Sequence, residues 1–108
     1  MPQQTIQSFK EFWPYYLGEH RLPKNRLLHY IGSFLSLSLL IYSIASQSWW
    51  LLIVCFLIGY GFAWIGHFFV EKNKPATFQY PLWSFIADYK MFAMAISGKL
   101  KHEWPKYF

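Results

Sequence analysis

Between residues 27 and 70 the chain carries no charged side chain, and the apolar run is interrupted only by the short polar turn Ser46, Gln47, Ser48. Each half of that run is about the twenty residues a helix needs to cross the hydrocarbon of a bilayer. The pattern predicts an antiparallel transmembrane helical hairpin, with spans over 27–45 and 49–70 and the first helix beginning at Arg26 or Leu27. Trp49 and Trp50, at the turn, suit the far interface, where amphipathic rings collect.

Outside the run the pattern changes. Residues 7–17 mix Phe9, Phe12, Trp13, Tyr15, Tyr16 and Leu17 with Lys10, Glu11 and Pro14, which predicts an interfacial segment with its rings at headgroup level. Pro23 should break any helix arriving from upstream. Residues 81–97 are again apolar, with Pro81 suited to a first helical turn. A third crossing there would carry Lys99, Lys101 and Lys106 to the opposite face, so the segment is expected as an interfacial helix with Ser84 and Asp88 on one side. The basic, aromatic stretch 98–108 reads as a surface anchor. The fold class expected is an all-α membrane protein, one membrane-embedded domain over residues 1–108 with interfacial helices at both ends.

Composition sharpens this reading. A chain of 108 residues that is 55% hydrophobic and 23% aromatic is too short for two globular domains and too apolar for an ordinary soluble one. All ten Lys and Arg side chains lie outside 27–70, so a hairpin places them on one side. The positive-inside tendency makes that side cytoplasmic, together with both termini, in a cell inner membrane or a membrane of endoplasmic-reticulum type. The net charge of +5 then describes a patch for lipid headgroups and fatty acid carboxylates, and argues against a nucleic-acid partner. Residues 1–10 are polar and show no removable signal peptide. Cys55, in mid-span, is expected to pack and stay inert.

Within the spans, small residues fall in stripes. Gly32, Ser36 and Ser43 share a face with His29; Gly59, Ala63, His67 and Glu71 follow one another at intervals of four. Small residues in membrane helices mark close approach of another helix. His29 and His67 are equally far from the turn, so the hairpin returns both to one depth, pointing into the contact. His20, His29, His67 and Glu71 then collect at the cytoplasmic boundary. Imidazoles with a carboxylate suit Fe(II) with open positions for substrate and dioxygen; zinc accepts similar ligands. The plainer alternative is an interfacial histidine bonded to headgroups, and a His67–Glu71 pair that merely satisfies itself. Asn25 and Asn73 are turn residues or residues that orient ligands through a hydrogen bond. His102 has no partner pattern and is left out.

The segments HRLPKNRLLHYIG (residues 20–32) and IGHFFVEKNKPA (residues 65–76) resemble the two signature blocks of the Fe(II)-dependent 2-hydroxy fatty acid dioxygenases, small membrane proteins of fatty acid α-oxidation. The resemblance falls on His20, Asn25, His29, Gly66, His67, Glu71, Lys72, Pro75 and Ala76. It implies an iron-dependent enzyme that converts a 2-hydroxy fatty acid and O2 to the one-carbon-shorter acid and CO2. His20, His29 and His67 are then implied as Fe(II) ligands, with Glu71 a fourth ligand or an acceptor for an imidazole. Arg21, Lys24, Arg26, Lys72 and Lys74 become candidates to attract the substrate carboxylate. Three other readings stay open: a non-catalytic hairpin that forms an oligomer, and a zinc or a heme protein on the same frame. A dimer that completes the substrate groove is compatible with the small enclosed volume.

Overall fold

Every regular element in the computed structural model, which describes residues 6–108, is helical, with no strand among the described residues. The order is α1 (Phe9–Gly18), α2 (Pro23–Ser46), α3 (Leu51–Ile65) with a π-helical continuation (Gly66–Glu71), a 3-10 turn (Ala76–Phe78), α4 (Pro81–Ile96), α5 (Leu100–Glu103) and a final 3-10 turn (Trp104–Lys106). Residues 1–5, half of the polar start discussed above, lie outside the described residues. Two contact-rich units emerge within the length read above as one domain: Arg21–Pro75, and residues 6–20 with Ala76–Phe108.

In the first of these units Pro23 occupies the opening position of α2. Its fixed φ and missing N–H suit that position, so the residue expected to stop an upstream helix also starts the next. The helix therefore begins three or four residues earlier than hydropathy alone suggests, and takes in Asn25. It closes at Gln47, in the left-handed region at φ 56°, and the chain turns back through Ser48, whose backbone N–H reaches Ser43 O at 2.9 Å.

α3 then lies along α2. A Cβ on Gly32 would meet Phe62 Cβ at 2.9 Å, while Gly59 faces Ser36 at ordinary contact distance. The expected stripes are the packed ones: α2 buries Asn25, His29, Gly32, Ser33, Ser36 and Ser43, and α3 buries Cys55 and Ala63. The large apolar side chains, among them Leu27, Phe34, Ile41, Ile53 and Leu57, are exposed. This pair is inverted relative to a soluble core, since its polar groups lie inside and its hydrocarbon outside.

The other unit is held by aromatic rings. Ser8 caps α1 by accepting the Glu11 N–H at 3.2 Å, while the Glu11 carboxylate takes the Gln7 N–H at 3.1 Å, close to a capping box. Phe12, Trp13, Tyr16 and Leu17 are fully or almost fully buried, with the Phe12 ring 5.4 Å from Tyr80 and 5.7 Å from Trp83. These four residues form a core against α4, so they do not lie on an open surface at headgroup level as the sequence pattern suggested. Burying each large side chain contributes about 1.5–3 kcal/mol. α4 covers them with Ser84, Ala87 and Met91.

Trp13 Nε1 donates to Glu103 at 3.0 Å, and Lys106 bonds the other carboxylate oxygen at 3.0 Å. The Lys90 ammonium lies 4.2 Å above the Trp13 ring. The Lys106 hydrogen bond, helped by that of Trp13, holds the Glu103 carboxyl below its ordinary value.

Candidate metal centre

His29 lies one turn after Asn25 on the buried face of α2, and His67 enters from the second residue of the π-helical continuation of α3. Their rings meet edge to face, with centroids 5.0 Å apart and planes at 86°. The end of α3 widens here from i→i+4 to i→i+5 pairing, an arrangement often found at functional sites. Lys72 ends it in the left-handed region at φ 59°. That reversal folds Asn73 back over the π turn. Its backbone N–H bonds His67 O at 2.9 Å, and its carboxamide oxygen lies 2.7 Å from His67 Nδ1.

A carboxamide oxygen can only accept, so His67 Nδ1 carries the proton and Nε2 presents a lone pair. His20 is fixed in the same way. Its Nδ1 is 2.6 Å from the Tyr16 carbonyl, and its ring stacks on Tyr16 at 4.0 Å. A backbone carbonyl likewise has no proton to give, which leaves Nε2 of His20 as the acceptor.

His20 ends one unit and is joined by a single peptide bond to Arg21, which opens the other. His20, His29 and His67 are at most 4% exposed, and one ligating atom of each lies within 4.8 Å of the other two. Nitrogens bound to a common metal at about 2.1 Å stand roughly 3–4 Å apart. Three buried imidazoles, two with the lone pair fixed by an outer hydrogen bond, could hold a metal ion, and the donor chemistry fits iron or zinc.

Glu71 is not part of that group. Its carboxylate accepts the Leu22 N–H at 2.6 Å. The four-residue stripe Gly59, Ala63, His67, Glu71 assumes an unbroken α-helix, whereas the π turn from Gly66 to Glu71 changes the angular step between His67 and Glu71. The side chain instead satisfies an amide at the start of α2, where Leu22 supplies no side-chain cap of its own. Its role here is to hold the backbone two residues beyond His20.

The proposed carboxylate-attracting residues divide. Arg26 Nη1 donates to the Arg21 carbonyl at 2.8 Å and so fastens the loop. Lys24, Lys72 and Lys74 are exposed, as is Arg21. Asn73 lies against His67 Nδ1 as described. Asn25 does not show the same kind of contact. It is wholly buried, and both Oδ1 and Nδ2 are without a hydrogen-bond partner. Leaving a buried polar group unpaired costs about 1–3 kcal/mol, so its presence needs a reason. The Asn25 oxygen occupies the space above Gly66, where an added Cβ would come within 1.9 Å of it.

Reading the sequence alone missed the Tyr16 carbonyl and the Leu22 N–H, and named Gly66 only through the resemblance, without the contact its bare Cα makes. The first had a signal, since Tyr16 precedes His20 by four residues and a helical i−4 carbonyl lies beside the i side chain. The other two depend on the pairing of α2 with the π turn.

The chain matches the family model described as 2-hydroxy-palmitic acid dioxygenase Mpo1-like over residues 6–100. It belongs to the Mpo1-like family. No curated protein and no solved structure matches it. The Mpo1-like match spans both histidine-bearing blocks and the rest of the packed helices, α1 and α4 included. It stops before the Glu103–Lys106 pair.

Proposed function

We propose that this Mpo1-like protein is a membrane-bound, iron-dependent dioxygenase that shortens 2-hydroxy fatty acids by one carbon. The observation that carries the reading is the buried three-histidine group with outward-braced Nδ1 atoms, in a chain whose family bears a 2-hydroxy acid dioxygenase name. The reaction balances without an outside reductant: one 2-hydroxy acid and one O2 give the shorter carboxylic acid, CO2 and water. The C1–C2 bond breaks, C2 rises to the carboxylic acid level, and the four electrons taken up by O2 come from the substrate.

His20, His29 and His67 would hold the metal. Iron, when bound, supplies open positions at which a 2-hydroxy carboxylate and dioxygen can meet. The chain's own residues do the rest. The Tyr16 carbonyl and Asn73 keep the Nδ1 protons of His20 and His67 in place. Glu71 fixes the backbone at Leu22, so the His20 loop does not swing away. Exposed Lys24, Lys72 and Lys74 raise the local concentration of carboxylates.

The inverted α2–α3 pair supports the membrane setting. Pro23–Ser46 and Leu51–Glu71 are each long and apolar enough to cross a bilayer. Only 28% and 22% of their most apolar windows are buried, so they differ from core helices of a soluble protein. Leu27, Phe34, Leu35, Leu37, Phe56 and Leu57 face outward, as lipid-facing side chains do, while Ser33, Ser36, Ser43, His29 and His67 pack inside. A substrate alkyl chain would then stay in the bilayer, with the basic residues at the headgroup level of the cytoplasmic face.

Elemental analysis of protein purified without oxygen in mild detergent tests the reading. Near-stoichiometric iron in the native chain, absent from His67→Ala that still inserts in membranes, is expected, along with O2 uptake driven by 2-hydroxypalmitate. A native protein that takes up no metal when Fe(II) is supplied would sink it. Zinc in place of iron, without O2 uptake, would keep the histidine site and discard the dioxygenase.

A further inference from the structure

Asn25 is the polar side chain beside the histidines whose own needs the fold leaves unmet. Its donor and its acceptor are both buried and both unpaired, although the residue lies in the first turn of α2, beside exposed Pro23 and Lys24, where water would have satisfied it had it pointed outward. It stands one helical turn before His29, and its oxygen rests on Gly66, the neighbour of His67. The carboxamide is therefore wedged between the two elements that bring His29 and His67 together. Gly66 is what admits it, since any side chain there would fill the same space.

A carboxamide offers a donor and an acceptor about 2 Å apart and facing the same way, so its natural complement is a group with an acceptor and a donor side by side. An α-hydroxy carboxylate has this pairing. We propose that Asn25 binds the polar head of the substrate, Nδ2–H donating to a carboxylate oxygen and Oδ1 accepting the 2-hydroxyl proton, and that it thereby selects 2-hydroxy acids over plain fatty acids. This rests on the dioxygenase reading above and deepens it by naming the residue that reads the hydroxyl. A site built to pair with a hydroxyl rejects the analogue lacking it far more strongly than an apolar pocket can, because the analogue leaves the protein's own groups buried and unpaired.

The test is equilibrium binding under anaerobic conditions, where no turnover occurs. The Fe(II)-loaded full chain in detergent is titrated with 2-hydroxypalmitate and with palmitate, for the native protein, Asn25→Leu and Asn25→Ser, with iron content measured alongside. The native protein should prefer the hydroxy acid by about tenfold to a hundredfold. Asn25→Leu should hold iron as the native chain does, bind palmitate within about threefold of native, and lose the preference. Asn25→Ser, smaller and still able to donate and accept, should keep part of it, and it serves if the leucine variant does not fold. A preference undiminished in either folded variant overturns the assignment and leaves Asn25 bonded to an ordered water only. A native protein that binds iron but prefers neither acid overturns it too, with the metal site standing. A native protein that binds neither iron nor acid overturns this assignment and the dioxygenase reading together.

Discussion

Gly66→Ala adds a single methyl group at the tightest point of the histidine-bearing pair. Its Cβ would fall 1.9 Å from Asn25 Oδ1 and 3.0 Å from Asn25 Cγ, with the Asn25 backbone Cα at 3.5 Å, where ordinary contact begins at 3.4 Å. Relieving the overlap takes about 1.5 Å of movement. The carboxamide cannot swing into solvent, because Asn25 is fully buried. Either it rotates into the histidine group or α2 and the π turn separate. Overpacking of this kind costs about 1–3 kcal/mol, and because Gly66 adjoins His67 the displacement reaches the histidine nitrogens.

Gly66→Ala is therefore expected to lower the denaturant midpoint in detergent and to weaken Fe(II) binding at least tenfold. The double variant Gly66→Ala with Asn25→Ala removes the atom that the methyl group strikes. It should recover most of the lost stability and metal affinity, giving a coupling of about 1–3 kcal/mol in the double-mutant cycle. Refutation is direct. If Gly66→Ala matches the native chain in both measurements, or if the double variant is no better than the single one, then Asn25 does not occupy the space above Gly66.

Other outcomes follow from the same geometry. Asn73→Leu removes the acceptor at His67 Nδ1 and should weaken iron binding by about 10–100-fold while leaving far-ultraviolet circular dichroism unchanged. Gly32→Leu should force α2 from Phe62 and destabilise the pair, whereas Gly61→Leu, at a position with nothing within 4 Å, should be tolerated; detergent unfolding of both compares them. Glu103 has a lowered carboxyl pKa in the folded chain, so its contribution to stability is present above the unfolded value of about 4.3 and is lost as pH falls through the lower folded value. A Glu103→Gln variant should therefore show a flatter loss of stability with acid than the native protein, measured by thermal unfolding from neutral pH to pH 3.

Much of this was legible along the chain, for reasons of short range. The absence of charge from 27 to 70 fixed two long apolar helices, because length and hydrocarbon content belong to the segment itself. Pro81 marked a helix start through its locked φ and missing N–H and stands at the first position of α4, whereas Pro23, legible only as a breaker of an upstream helix, also opens α2. The small-residue faces around Gly32 and Ala63 were readable because helical periodicity places positions four apart on one line. That line also carried His29 and His67 toward the contact.

What the tertiary structure decided lies where periodicity stops. No local preference announces that α3 ends in a π turn, and that turn removes Glu71 from the line of His67 and gives it to the Leu22 amide. The hydrogen bonds that brace the histidines come from a carbonyl at Tyr16 and from Asn73, reached only because Lys72 reverses the chain. The rings of Phe12, Trp13 and Tyr16 read as part of an interfacial segment until α4 is present to cover them, since aromatic residues suit a membrane interface and a packed core equally well. In the sequence Asn25 reads either as a turn residue or as one that orients a ligand. Only the close passage of Gly66 buries its donor and acceptor together, because that burial depends on two segments some forty residues apart in the chain meeting at a single methylene.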